Sequence, residues 1–306
     1  MTRYFLTRLA GAVPTLFIII TITFFLMRAA PGGPFDQEQA LAPEIKANLQ
    51  RAYGLDQPLL TQYGRYLKSL LHGDFGPSFK YKDFTVTELI GQGFPVTLQL
   101  GILAIALALL LGVPLGTFAA LRHNSAADTA TMSLVVTGIA IPSFVVLPFL
   151  GLLFGVYLHW LPVAGWEGGS LRHLALPVIA LALPPLAYVA RLTRGSMLEV
   201  LRSHYIRTAF AKGLPLHSVI FRHALRPALA PVASYLVPAV ASIMTGSLVV
   251  ETIAGLPGIG RYLVQGAINR DYTLVLGMVV IYSALLILMG LLVDLLYAWL
   301  DPRVRL

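Results

Sequence analysis

The sequence predicts an all-α integral membrane protein with six transmembrane helices and a helical extracytoplasmic cap between the first two. Three observations carry that expectation. Hydrophobic residues make up 57% of the 306 and charged residues only 12%, whereas a soluble domain is about 25% charged. Six apolar runs approach or exceed the ~20 residues needed to cross a bilayer. The basic residues gather in the segments beside those runs, so the net charge of +8 suits membrane orientation and anionic lipid better than nucleic acid.

The runs are roughly Leu9–Met27, Val96–Leu121, Met132–Leu158, Leu174–Val189, Ala228–Val250 and Thr273–Leu300. The first follows Arg3 and Arg8 and precedes Ala29 and Ala30, like a signal peptide. It exceeds the ~7–15 residues of a signal core and reads as an uncleaved span. The fourth run is short and holds Pro177, Pro184 and Pro185. Such a helix needs neighbours that satisfy the freed carbonyls, so burial among other spans is expected.

Six spans put both termini on one side. The 191–226 stretch has seven basic residues against one acid, Glu199, and short basic loops stay inside. This stretch and both termini are therefore expected in the cytoplasm. The resulting division is a tip and first helix over 1–30, a cap over 31–93, a five-helix domain over 94–300 and a tail over 301–306.

The cap has helix punctuation. Pro43 suits a first turn and Gly54 a helix end. Pro58 and Gly73 repeat that grammar, and Leu59, Tyr63, Tyr66, Leu67 and Leu70 between them share one face. Thr85 and Glu88 have capping-box spacing. After the fifth run, Gly255, Pro257, Gly258 and Gly260 break any helix, and a short helix over Arg261–Asn269 is expected.

Signatures of chemistry are absent. There is no cysteine, so thiol catalysis and disulfides are excluded. No G-x-x-x-x-G-K-[ST] and no H-E-x-x-H occur. The histidines, at 72, 123, 159, 173, 204, 217 and 223, lack ligand spacing. Ser247 has no base in an apolar span to activate it, and Gly246 with Ser247 reads as a close-packing pair. Of the charges near span ends, Arg28, Glu251 and Asp294, only Asp294 lies well inside an apolar run, and a self-contained proton-coupled carrier would have to use it.

The stretch "RTAFAKGLPLHSVIFRHALRP", Arg207–Pro227, is the most distinctive. Gly195 closes the fourth span and residues 198–212 are compatible with a helix. Gly213 suits a left-handed helix terminus, and Pro215 opens a second helix. There Ser218, Arg222 and Arg226 recur along one side and Leu216, Ile220 and Ala224 along another. A short helix with one apolar and one basic edge is a docking element, for lipid head groups or for protein.

The stretch resembles the EAA loop of ABC-importer membrane subunits. Aligned on Gly213, the Glu-Ala-Ala positions hold Arg207, Thr208 and Ala209, and the tail holds His223, Ala224, Leu225 and Arg226; Ala209, Gly213 and Leu225 match. The peptide-importer branch is more similar, through "RTA-x-AKGL" and "RHALRPAL". Similar stretches run along nearly the whole chain: "RAAPGGPF", "YGLDQP", "HGDFGPSFKYKDFTV", "IPSFVV", "ARLTRGSMLEVL", "ETIAGLPGIGRYLV" and "NRDY". They are typical of the oligopeptide permease B-subunit family, with the dipeptide, nickel and glutathione permeases as near alternatives.

The resemblance implies a type I ABC importer transmembrane domain and a bacterial inner-membrane location. It implies four partners: a homologous C-type permease subunit, two cytoplasmic ATPases, and an extracytoplasmic peptide-binding protein. ATP and Mg would be bound by the ATPases, with no cofactor in this chain. It also implies contact with the ATPases through Arg207, Thr208, Ala209, Lys212, Gly213, Leu214, Pro215, His223 and Leu225. No residue of the substrate path is legible.

Overall fold

The computed structural model describes residues 2–29, 33, 43–81 and 83–300, with side-chain surroundings for most of them. The described residues form helices in the order α1 (Thr2–Ala29), α2 (Pro43–Ala52), α3 (Leu59–Leu71), α4 (Val86–Leu121), α5 (Ala126–Ala140), α6 (Ser143–Leu150), α7 (Leu171–Leu201), α8 (His204–Ala211), α9 (Leu216–Ser218), α10 (Leu225–Ala228), α11 (Ala230–Ala254), α12 (Ile259–Ile268) and α13 (Tyr272–Leu300). Five are long and apolar enough to cross a membrane, and α5 with the α6 segment makes a sixth span if that bent pair is counted as one.

Two compact units divide the chain, one built on Thr97–Leu256 and the other on Ala10–Val96 with Pro257–Leu285. In the second unit, the cap face expected on α3 is correct for four of its five residues. Tyr66 is buried against Ile20 and Phe24 of α1 and Leu276 and Val280 of α13, with Tyr63, Leu67 and Leu70 packed beside it. Leu59 is instead half exposed, because it opens the helix directly after its N-cap, Pro58. The Thr21 and Tyr63 hydroxyls lie 2.6 Å apart. Burial pushes the Tyr66 phenol up, so it stays protonated and remains a donor.

The capping box forms as its spacing predicts. Thr85 N donates to Glu88 Oε2 at 2.8 Å and Glu88 N to Thr85 Oγ1 at 3.2 Å. The helix predicted near Arg261 is α12, starting two residues earlier. Asp271, fully buried, organises the turn before α13. Its carboxylate accepts from Leu274 N at the helix start and from the Ser78 hydroxyl, Phe79 N and Lys80 N of the preceding cap. The sequence reading noted "NRDY" without giving Asp271 a role.

In the first unit, α7 is the central helix. It runs 31 residues without a break despite Pro177, Pro184 and Pro185, so the fourth span extends past Gly195 rather than ending there. Two-thirds of its most apolar stretch is buried, the largest share among the spans, as the three prolines require. α4 approaches it through Gly112 and Gly116, a G-x-x-x-G pair. A Cβ on Gly116 would lie 2.3 Å from the Ala190 carbonyl oxygen, and one on Gly112 would lie 2.9 Å from that of Leu186. A Cβ on Gly246 would meet Leu181 at 3.1 Å and Ser143 Oγ at 3.3 Å, while Ser247 Oγ donates to the Met244 carbonyl within its own helix. The pair is for packing.

The third apolar run is not one straight helix. It breaks at Ile141–Pro142, where α5 and the following segment meet at 104°. Proline forces the residue before it out of helical geometry: Ile141 is extended at φ −108°, ψ 122°, and Pro142 caps α6. Pro148, inside α6, is followed by a π-helical segment, Gly151–Tyr157, consistent with its missing N–H.

Candidate functional site

The predicted docking stretch folds as a compact appendage on the end of α7. After Leu201 a short turn leads into α8, which carries Arg207, Thr208 and Ala209. Its end is a Schellman turn. Gly213 takes φ +75°, its N–H donates to the Phe210 carbonyl at 2.9 Å, and the Leu214 N–H reaches that of Ala209 at 3.3 Å. This 6→1 and 5→2 pattern needs a left-handed residue at C′, which glycine adopts without strain. Pro215 then caps α9. The chain continues through a π turn, Val219–Ala224, into α10.

One face of this appendage is core. Ile206, Ala209, Val219, Ile220, Ala224 and Ala228 are buried with Met197 of α7 and Ala120 of α4, and Leu214 and Leu225 pack on them. Arg207, Thr208, Lys212, Gly213 and Pro215 are exposed and His223 is half-buried. So the structure splits the nine predicted contact residues: Ala209, Leu214 and Leu225 hold the appendage together, while most of the others face outward. The apolar edge also differs from the expected one. Leu216 is 56% exposed and Val219 takes its place inside. Ile220 and Ala224 are buried as that edge predicts; Leu216 faces outward because it opens α9 directly after its N-cap, Pro215.

The outward face was missed by sequence reading. Tyr205, Phe210, Leu216 and Phe221 expose large apolar surfaces beside exposed Arg207, Lys212 and Arg222. Aromatic and aliphatic side chains on one stretch with several cations suit a docking surface, for a protein or for lipid head groups, better than a solvated face.

The second feature of this unit is a groove of about 740 Å³ along α5 and α7, within the volume range of ligand sites. Thr129, Ser133 and Thr137 recur every four residues along α5, facing Arg191 and Arg194 of α7. The Thr129 and Thr137 hydroxyls donate to the Ser125 and Ser133 carbonyls, so each offers lone pairs to the groove. Asp128 is buried at the groove's end, where it accepts both Arg194 Nε and Nη2 at 2.7 Å and closes the Ser125 N-cap of α5. Arg191 lies 5.0 Å above the Tyr188 ring, which in turn packs against Tyr235 of α11. No carboxylate pairs with Arg191 among the described residues.

Glu251 is fully buried and accepts from Thr97 Oγ1 at 2.7 Å, which ties α11 to α4. Asp294, the residue a proton-coupled carrier would need, lies outside the described side chains. No cluster of three or more potential metal ligands occurs among the described residues.

Comparison with known proteins shows the family. The N-terminal region of binding-protein-dependent transport system membrane components matches residues 1–101, and the inner membrane component itself matches residues 112–306. The oligopeptide transport system permease protein OppB of Escherichia coli (strain K12) is 55% identical over 305 residues, covering 100% of both chains. The dipeptide transport system permease protein DppB of Bacillus subtilis (strain 168) is 47% identical over 100% of this chain and 99% of its own. Among solved structures, a chain of the inward-facing MetNI methionine ABC transporter superposes with a TM-score of 0.57 at 16% identity, over 70% of this chain and 96% of that one. The fold is therefore that of a type I ABC importer permease. On these matches, the chain belongs to the binding-protein-dependent transport system inner membrane component family, as a multi-pass membrane subunit of an ABC transporter.

Proposed function

We propose that this chain is the B-type, pore-forming subunit of an importer that moves oligopeptides into the cytoplasm. The observation that carries the reading is the 55% identity to an oligopeptide permease along the full length of both chains. The chain pairs with a homologous C-type permease, and an extracytoplasmic peptide-binding protein delivers substrate. Two ATPases supply the energy and hold ATP and Mg, so this chain carries no cofactor and performs no hydrolysis. Both termini and the α8–α10 appendage face the cytoplasm. Dipeptides fall within the same reading, since a dipeptide permease aligns over the whole chain as well.

Two physical features support the mechanism. The exposed Tyr205, Phe210, Leu216 and Phe221 are anchors for a groove on an ATPase, with Arg207, Lys212 and Arg222 around them. The Schellman turn at Gly213 sets the angle between α8 and the following helix, so the appendage moves as a rigid lever on α7. The α5–α7 groove forms part of the peptide path: its threonine lone pairs accept from peptide N–H groups and Arg191 receives the terminal carboxylate. Contacts of that kind recognise backbone and termini, which suits a carrier of many sequences.

The test is Gly213→Val in the reconstituted complex. A β-branched residue is strained at φ +75°, so the lever angle shifts while the core under the appendage remains. Assembly is expected to persist, with peptide uptake lost and ATP hydrolysis no longer stimulated by loaded binding protein. Normal coupling in this variant would refute the lever.

A further inference from the structure

The second unit contains a cavity of about 250 Å³ that the transport reading does not use. Two arginines, Arg28 and Arg65, line it together with Gln62, Tyr66 and Ser69, over an apolar floor that includes Phe24; among the described residues no carboxylate does. Charges removed from water are normally paired, yet Arg28 has aromatic rings for neighbours, with Phe24 at 5.3 Å and Tyr272 at 5.2 Å from its guanidinium carbon.

Three buried polar atoms of this lining have no hydrogen-bond partner among the described residues: Arg28 Nε, the Tyr66 hydroxyl and Gln62 Oε1. Gln62 and Tyr66 are each more than nine-tenths buried, at 8% and 9% exposure. The Gln62 amide is oriented by its own donors, since Nε2 reaches the Leu55 carbonyl at 3.1 Å and that of Gln57 at 2.7 Å. This leaves Oε1 as a committed acceptor. Arg65 is steadied by a bond to Gln57 Oε1. Buried orphan groups clustered on one cavity call for a partner. Here they specify its chemistry: an oxyanion for the two cations and the phenol, and a nearby hydroxyl to donate to Gln62.

Position supplies the source. Arg28 is the penultimate residue of the span Ala10–Ala29, and an arginine at a span end sits at head-group depth. Phe24, Phe25, Tyr63 and Tyr66 form a ring cluster with centroids 5.2–5.9 Å apart, as in an interfacial aromatic belt. We infer that this cavity binds the phosphoglycerol head group of an anionic phospholipid. The phosphodiester oxygens accept from Arg28 Nε and the Tyr66 hydroxyl beside Arg65, and a glycerol hydroxyl donates to Gln62 Oε1.

The experiment uses the full chain, purified in detergent with the subunits that accompany it and stripped of lipid. Phosphatidylglycerol, phosphatidylethanolamine and free glycerol 3-phosphate are titrated separately, with bound lipid counted by native mass spectrometry and unfolding followed thermally. Wild type should retain phosphatidylglycerol and melt higher with it. Arg28→Gln should weaken retention about tenfold or more, the effect of losing a charge-assisted bond. Ser69→Asp places a carboxylate beside the two arginines and should displace the lipid while the lipid-free melting temperature stays at or above that of wild type, which separates lost binding from lost folding. Equal retention by the variants overturns the inference, as does equal retention of phosphatidylethanolamine. Stabilisation by glycerol 3-phosphate to the same extent would place the ligand in solution and overturn the lipid assignment.

Discussion

Gly116→Ala tests the close approach of α4 and α7. The added Cβ would lie 2.3 Å from the Ala190 carbonyl oxygen and 2.8 Å from Thr193 Cβ, roughly 1 Å short of van der Waals contact. The obstructing oxygen belongs to the α7 backbone, so no rotamer change relieves it and the helices must separate. Overpacking of this kind costs about 1–3 kcal/mol. At about 2–4 °C per kcal/mol for a chain of this size, the melting temperature should fall by about 2–12 °C. Gly195→Ala is the control: its Cβ meets nothing within 4 Å, and alanine in a helix gains about 0.5–1 kcal/mol. Both variants would be melted in one detergent and followed by size-exclusion of the remaining monodisperse protein. If Gly116→Ala melts within about 1 °C of wild type, or if Gly195→Ala falls as far, the contact does not bear on stability as argued.

Four further outcomes follow from the same geometry. Asp271→Ala strips five donors, the Thr273 hydroxyl among them, of their shared acceptor and should cost more than about 3 kcal/mol, seen as rapid limited proteolysis of the Ser78–Lys80 turn. Asp128→Asn keeps the shape but leaves Arg194 without its carboxylate; because that guanidinium is partly solvated, a loss of about 1–2 kcal/mol is expected, and a cycle with Arg194→Gln should show coupling between the two. Arg191→Gln should raise the apparent KM for peptides with a free terminal carboxylate and leave C-terminally amidated peptides unchanged. Thr85→Ala removes half of the capping box and should lower stability by about 1 kcal/mol in denaturant titration.

Much of the architecture is legible in the sequence because bilayers impose long apolar runs and because proline and glycine punctuate helices locally. Pro43, Pro58, Gly54, Gly73 and Gly213 all mark helix ends that the structure contains. What was not legible depends on tertiary phase. Leu216 and Leu59 share the periodicity of an inward face, but each opens its helix directly after a proline N-cap and is exposed. The bend at Ile141–Pro142 lies in an apolar run that hydropathy alone reads as continuous. Asp271 was a letter in a familiar string until the fold brought Ser78 and Phe79 to it from nearly two hundred residues away. The groove arginines were counted as loop charge, because nothing in spacing along α7 says which neighbour a side chain faces.

The prolines of α7 have one more consequence. Each lacks the N–H that would bind the carbonyl four residues earlier, and the adjacent pair at Pro184 and Pro185 removes two such tethers in succession. The glycine contacts from α4 grip α7 only beyond that pair, between Leu186 and Thr193. The helix is therefore two packed halves joined at a weakened point: Gly138 and Gly246 lie against Leu183 and Leu181 before the pair, and α4 lies against the half after it. A torque on either half would bend the helix most easily at that pair, where two backbone tethers are missing.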